Sequence, residues 1–109
     1  MEQIYPSQVA EWARTQAQRP VLLDVREGWE VQTACARPED LDFVHMPMQT
    51  IPARLAELDR SRPIACLCHH GGRSMQVAHF LASHGYDVVN VAGGIHAWSA
   101  QVDPGIPVY

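Results

Sequence analysis

The segment Cys68-His69-His70-Gly71-Gly72-Arg73-Ser74 gathers a thiol, two imidazoles, a guanidinium and a hydroxyl around two glycines. Glycines tolerate positive φ, so the segment can curl with its amides pointing inward. Consecutive inward N–H groups form an anion-binding nest, and a helix beginning at Arg73 adds the positive end of its dipole. Such a field favours the thiolate at Cys68, the form of cysteine that acts as a nucleophile. Arg73 adds a permanent charge and a bidentate fork for an oxyanion. Together these residues describe a thiolate that receives an anionic group and holds it in a ring of donors. The plain alternative is a buried cysteine at a strand end, followed by an ordinary glycine turn. The complete order of strand, Cys, Gly-Gly, Arg and helix favours the chemical reading.

That chemistry needs one strand to deliver Cys68 and one helix to meet the anion. Residues 64–68, introduced by Pro63, read as the strand. Residues 73–84 read as the helix, with Val77, Phe80, Leu81 and His84 at i, i+3, i+4 and i+7, and Gly85 as its stop. Residues 21–25 and 88–91 read as two further buried strands, and 43–45 as a short one. Helices are expected over 7–18, with Val9, Trp12, Ala13 and Ala17 on one face, over 27–33, from Pro52 with Ile51, Leu55 and Leu58 inward, and over 94–100. Residues 34–42 read as a loop. Strands alternating with helices imply a three-layer α/β/α architecture around a parallel sheet. Ligands in such sheets sit beyond the carboxyl ends of the strands, where Cys68 to Ser74 would lie.

The 109 residues are expected to form one domain, residues 1–109. At 47% hydrophobic residues the chain is too apolar for a disordered tail, and its apolar runs are too short to span a membrane. All eight basic residues are Arg, and the net charge is −4. Scattered Arg on an acidic chain leaves no footprint for nucleic acid or an anionic membrane. The absence of Lys excludes Schiff-base and P-loop lysine chemistry. Residues 1–4 carry neither a basic nor an apolar leader pattern, so a cytoplasmic protein is expected. Three cysteines, Cys35, Cys66 and Cys68, suit free thiols better than a disulfide framework.

The sequence resembles the rhodanese family of sulfurtransferases. Leu22-Leu23-Asp24-Val25-Arg26-Glu27 with Glu30 is similar to the family's first-strand motif, and His45-Met46-Pro47 to its central motif. Cys68 to Ser74 is similar to its active-site loop, and Val91-Ala92-Gly93-Gly94-Ile95-His96-Ala97-Trp98 to its C-terminal motif. The landmarks fall in family order along nearly the whole chain. The resemblance implies a central parallel sheet of about five strands and a persulfide carried on Cys68. Related phosphatases use Cys-x5-Arg, whereas Cys68 to Arg73 is Cys-x4-Arg, a smaller ring suited to a single extra sulfur. The implied donor is thiosulfate or a similar small anion, and the implied acceptor is cyanide, a thiol or a protein. A binding module with little turnover is the alternative class, and a phosphatase or arsenate reductase a third. The chain departs from the family at Val44, before His45, and at Met48-Gln49, after Pro47. It also has extra residues at 33–42, which would border the site and bear on donor and acceptor choice.

The resemblance makes Asp24, Arg26 and Glu30 a buried ionic set near the site, with Arg26 and Glu30 at i, i+4 spacing. His45 reads as making a structural hydrogen bond to a neighbouring loop, with a proton-transfer role as the alternative. His69 and His70 either are solvated or face the donor. Arg73 either docks the anion or holds the loop. Cys66 reads as core, on the same side of the strand as Cys68. Cys35 reads as a bland thiol, or as a resolving thiol if the long loop folds over the site. Trp98 reads as core, and Trp29 is undecided. Cys66, Cys68, His69 and His70 do not have a standard zinc spacing and no second ligand pair is apparent, so neither a metal nor another cofactor is expected.

Overall fold

The computed structural model describes all of residues 1–109. Strands β2 (Val21–Asp24), β4 (Ile64–Leu67) and β5 (Val88–Val91) are buried at every position. Such continuous burial belongs to strands covered on both faces. β3 (Asp42–His45) lies outside β2, and β1 (Gln3–Ile4) lies outside β5. The order is β1-β5-β4-β2-β3, and every neighbouring pair is parallel. The expected parallel sheet of about five strands is the sheet observed. β1 was not anticipated, because two residues are too few to display an alternation.

Alternation along the strands divides the core into two layers. Leu22, Ala65, Leu67, Val89 and Val91 face α1 (Pro6–Arg14) and α5 (Gly94–Gln101), meeting Val9, Ala13, Ile95 and Trp98. Leu23, Cys66, Cys68 and Val88 face α3 (Ile51–Arg54) and α4 (Gly72–Ser83), meeting Ile51, Val77, Ala78 and Leu81. Helix α2 (Gly28–Thr33) follows β2. Truncating a fully buried Leu22 or Leu67 to Ala removes about 2–5 kcal/mol at such a site.

Two local expectations are corrected. Helix α1 ends at Arg14 instead of reaching Gln18, so Ala17 is exposed. The Thr15 hydroxyl and the Gln16 side-chain amide both donate to the Trp12 carbonyl, replacing the helical pattern with side-chain bonds. The helix at Pro52 is one short turn, flanked by 3-10 turns at Met48–Thr50 and Leu55–Glu57. The loop at 34–42 is anchored by Ala34, Ala36 and Leu41, which pack into the α1/α5 layer.

The connections place the site. From β2 the chain moves outward to β3, then crosses to β4 on the other side of β2. The strand order therefore switches direction between β2 and β4. The carboxyl ends of these two strands lie at that switch point, the usual place for a ligand in such a sheet.

Candidate active site

Cys68 follows the last residue of β4, and its side chain is 1% exposed. Two donors converge on its sulfur. The Gly71 amide lies 3.1 Å from Cys68 Sγ, and the Ser74 hydroxyl lies 3.2 Å away. Hydrogen bonds from donors like these stabilise negative charge on sulfur. The Ser74 hydroxyl is also 3.3 Å from the Gly71 carbonyl, so it bridges the first turn of α4 to the loop.

The Gly71 amide meets the sulfur, while carbonyls of the loop are held by other elements. The Cys68 and His69 carbonyls accept from the Ile95 and His96 amides at 2.9 and 3.1 Å, at the start of α5. A Cβ on Gly94 would stand 2.5 Å from the Cys68 oxygen and 2.4 Å from the His69 oxygen, so only glycine permits this approach. The Gly71 carbonyl accepts from Asn90 Nδ2 on β5 at 3.1 Å. Gly71 itself sits at φ +107°. Of the two loop glycines only Gly71 uses the positive φ that glycine permits; Gly72 is the first residue of α4.

Arg73 is turned toward Glu30. Its Nη1 and Nη2 donate to Glu30 Oε2 and Oε1 at 2.7 and 2.8 Å, a bidentate pair joining α2 and α4. Glu30 also accepts from the Glu27 amide at 2.9 Å and from the Tyr109 hydroxyl at 2.9 Å. The Arg73 guanidinium, with these donors, holds the Glu30 carboxyl well below the usual range, down to about 2. The fork expected for an incoming anion is thus satisfied within the protein, and Arg73 holds the loop.

Beneath this pair lies a second, fully buried one. Arg26 Nε and Nη2 donate to Asp24 at 2.9 and 2.7 Å, and both side chains are fully buried. Arg26 also donates to the Ala34 and Glu30 carbonyls and to the Tyr109 hydroxyl. The Arg26–Glu30 contact is therefore made through the backbone, not as a helical i, i+4 ion pair, because Arg26 precedes α2. His45 Nε2 lies 2.7 Å from the Arg26 carbonyl. A carbonyl only accepts, so Nε2 carries the proton and His45 ties β3 to this network.

His69 stacks on the Tyr109 ring, with centroids 3.8 Å apart and planes at 5°. Partial burial lowers the His69 pKa, and the neighbouring His70 lowers it further. Trp29 is exposed and meets Tyr109 edge-on. Burial pushes the Cys66 thiol far up, so Cys66 is a neutral core residue. Cys35 is partly exposed, and its neighbours Ala34 and Ala36 pack in the α1/α5 layer. No bond joins Cys35 to Cys68, and all three cysteines are free.

Asn90 and Tyr109 join the site without belonging to any motif of the sequence. Asn90 reads as one polar residue in a buried strand, a signal visible in Val88-Val89-Asn90-Val91. Tyr109 gives no local signal, since its contacts lie with residues distant along the chain.

A family model described as "Rhodanese-like domain" matches residues 7–101. The chain is 37% identical over 83 residues to the putative sulfurtransferase YtwF of Bacillus subtilis (strain 168), covering 76% of this chain and 77% of that protein. It is 40% identical over 93 residues to the rhodanese-like/PpiC domain-containing protein 12, chloroplastic, of Arabidopsis thaliana. That match covers 81% of this chain but spans only 30% of the longer Arabidopsis protein. Among solved structures, a rhodanese-like domain protein from Staphylococcus aureus shares 28% identity at a TM-score of 0.77, over 100% of this chain and 99% of that one.

Proposed function

The chain belongs to the rhodanese-like domain family, and on that premise we propose that it is a sulfurtransferase whose sulfur carrier is Cys68. The observation that supports this reading most is the convergence of the Gly71 amide and the Ser74 hydroxyl on Cys68 Sγ. Gly71 belongs to the six-residue ring from Cys68 to Arg73, and Ser74 directly follows it. The Cys68 thiolate attacks the outer sulfur of thiosulfate or a similar anionic donor. A sulfur–sulfur bond forms on Cys68, the donor's own sulfur–sulfur bond breaks, and its electron pair leaves with sulfite. A second nucleophile, cyanide or a thiol on a small molecule or protein, then attacks the outer sulfur. The Cys68 thiolate departs as the leaving group and is ready for another cycle.

In this reading the loop amides hold the terminal sulfur's charge, and Arg73 acts as a positioning residue through Glu30. His69 and His70 line the rim that the donor crosses. The reaction needs neither a metal nor a prosthetic group, and the proposal includes neither nucleic acid nor membrane as a partner. Three free thiols suit a reducing compartment, and the cytoplasm is the proposed location. No helix is long and apolar enough to cross a membrane.

Intact-protein mass spectrometry after thiosulfate treatment tests the proposal. Wild type should gain one sulfur, about 32 Da for a persulfide, and lose it on adding cyanide. Cys68→Ser should gain nothing. No gain in the wild type would remove thiosulfate as the donor, and a gain that survives in Cys68→Ser would remove Cys68 as the carrier.

A further inference from the structure

Three imidazoles crowd the rim of the loop. His69 and His70 follow Cys68, and His96 comes from the first turn of α5. One ligand nitrogen from each ring lies within 4.8 Å of the other two. The His69 and His70 ring centroids are 3.9 Å apart, and those of His70 and His96 are 5.0 Å apart. No carboxylate forms an ion pair with any of them.

The backbone fixes this arrangement. The His96 amide donates to the His69 carbonyl at 3.1 Å, so the loop and the first turn of α5 are bonded at the residues that bear two of the rings. Gly94 allows that contact, and the Tyr109 ring braces His69 from one side. Solvated histidines need no such convergence from two separate elements.

We propose that His69, His70 and His96 form a binding site for a borderline divalent transition-metal cation, with a further coordination position left for water or an anion. Imidazole nitrogen suits zinc, copper and nickel, whereas magnesium and calcium take oxygen ligands. Tetrahedral zinc with nitrogen at about 2.0–2.1 Å places its ligands roughly 3.3 Å apart. His70 and His96 are exposed, so rotation of their rings can close the remaining gap. A sequence spacing rule passes over this site, because α5 supplies the third ligand from a distant part of the chain. The proposal does not depend on the sulfur-transfer reaction.

Zinc titration by calorimetry on the full chain tests it. The background is Cys35→Ser with Cys68→Ser, which removes the partly exposed thiol and the thiol next to His69 as rival ligands. One zinc ion per chain should bind, and magnesium should not. Adding His96→Ala should weaken binding at least about tenfold, as loss of a ligand or its support does. Adding His79→Ala, on the exposed side of α4, should leave the affinity unchanged. Absence of stoichiometric zinc binding would overturn the site, as would an affinity indifferent to His96→Ala. In the otherwise wild-type chain, cobalt(II) should show nitrogen-ligand absorption without a thiolate charge-transfer band. A strong thiolate band would assign the metal to Cys68 instead.

Discussion

Glu30 shows how one side chain can support the loop without touching Cys68. Its carboxylate takes both prongs of Arg73, the Tyr109 hydroxyl and the Glu27 amide. With its folded-state pKa lowered to about 2 from the ordinary 4.5, Glu30 stabilises the fold fully above about pH 4.5. That contribution is lost as the pH falls toward 2. Glu30→Gln should therefore melt well below wild type at pH 6, and the gap between the two should narrow steadily from pH 5 to pH 3. A gap independent of pH would show that the charge on Glu30 contributes nothing. Arg73→Lys tests the same pair from its other end. Lysine keeps the charge but loses the planar fork. If Arg73 holds the loop through Glu30, the Lys variant should lose about tenfold or more in the rate of persulfide formation and should melt earlier, since about 1.4 kcal/mol of misplacement suffices for that factor. If Arg73 instead met the donor as a bare charge, Lys would preserve most of the rate, and freeing Arg73 by Glu30→Gln would strengthen donor binding.

The elements around the loop divide its glycines into those the geometry requires and those it does not. Gly94 begins α5 at φ +60°, beneath two loop carbonyls, and has no room for a Cβ. Gly94→Ala should cost more than about 2 kcal/mol in chemical denaturation, from strain and from parting α5 and the loop. Gly72 has open space where its Cβ would stand and carries no positive φ. Gly72→Ala should stay within about 0.5 kcal/mol of wild type, and equal losses at both positions would contradict this division. Much of this scale was legible beforehand: the strands at 21–25, 64–68 and 88–91 and the helix at 73–84 have strong apolar patterns. The site loop was legible because its residue types stand next to one another. The placement of Asn90 and Tyr109 in the site was not, because each reaches it through contacts that no periodicity encodes. Likewise β1 is ordered only by pairing with β5, and α1 stops where side chains near Thr15 capture the Trp12 carbonyl.

Across the whole molecule, the reversal of strand order between β2 and β4 places the ring, and the elements around it fix its size. The Cys68 and His69 carbonyls are held by α5, Gly71 by β5 through Asn90, and Arg73 by α2 through Glu30. These anchors belong to three different elements, so the ring cannot widen without releasing one of them. The two core layers lie on the faces of the sheet and do not depend on the ring's size. One glycine inserted between His70 and Gly71 would make the spacing Cys-x5-Arg while leaving both layers packed. The variant should keep the circular dichroism spectrum and cooperative melting of the wild type. Persulfide formation should fall about a hundredfold or more, because a misplacement of about 1 Å costs that much when donors must meet a developing charge. A phosphatase assay on the same protein separates ring size from the anchors. Gain of phosphate-ester hydrolysis would make ring size alone the determinant of which anion is handled. Loss of sulfur transfer with no gain is the expected result, since the anchors are set for six residues and do not follow the wider ring.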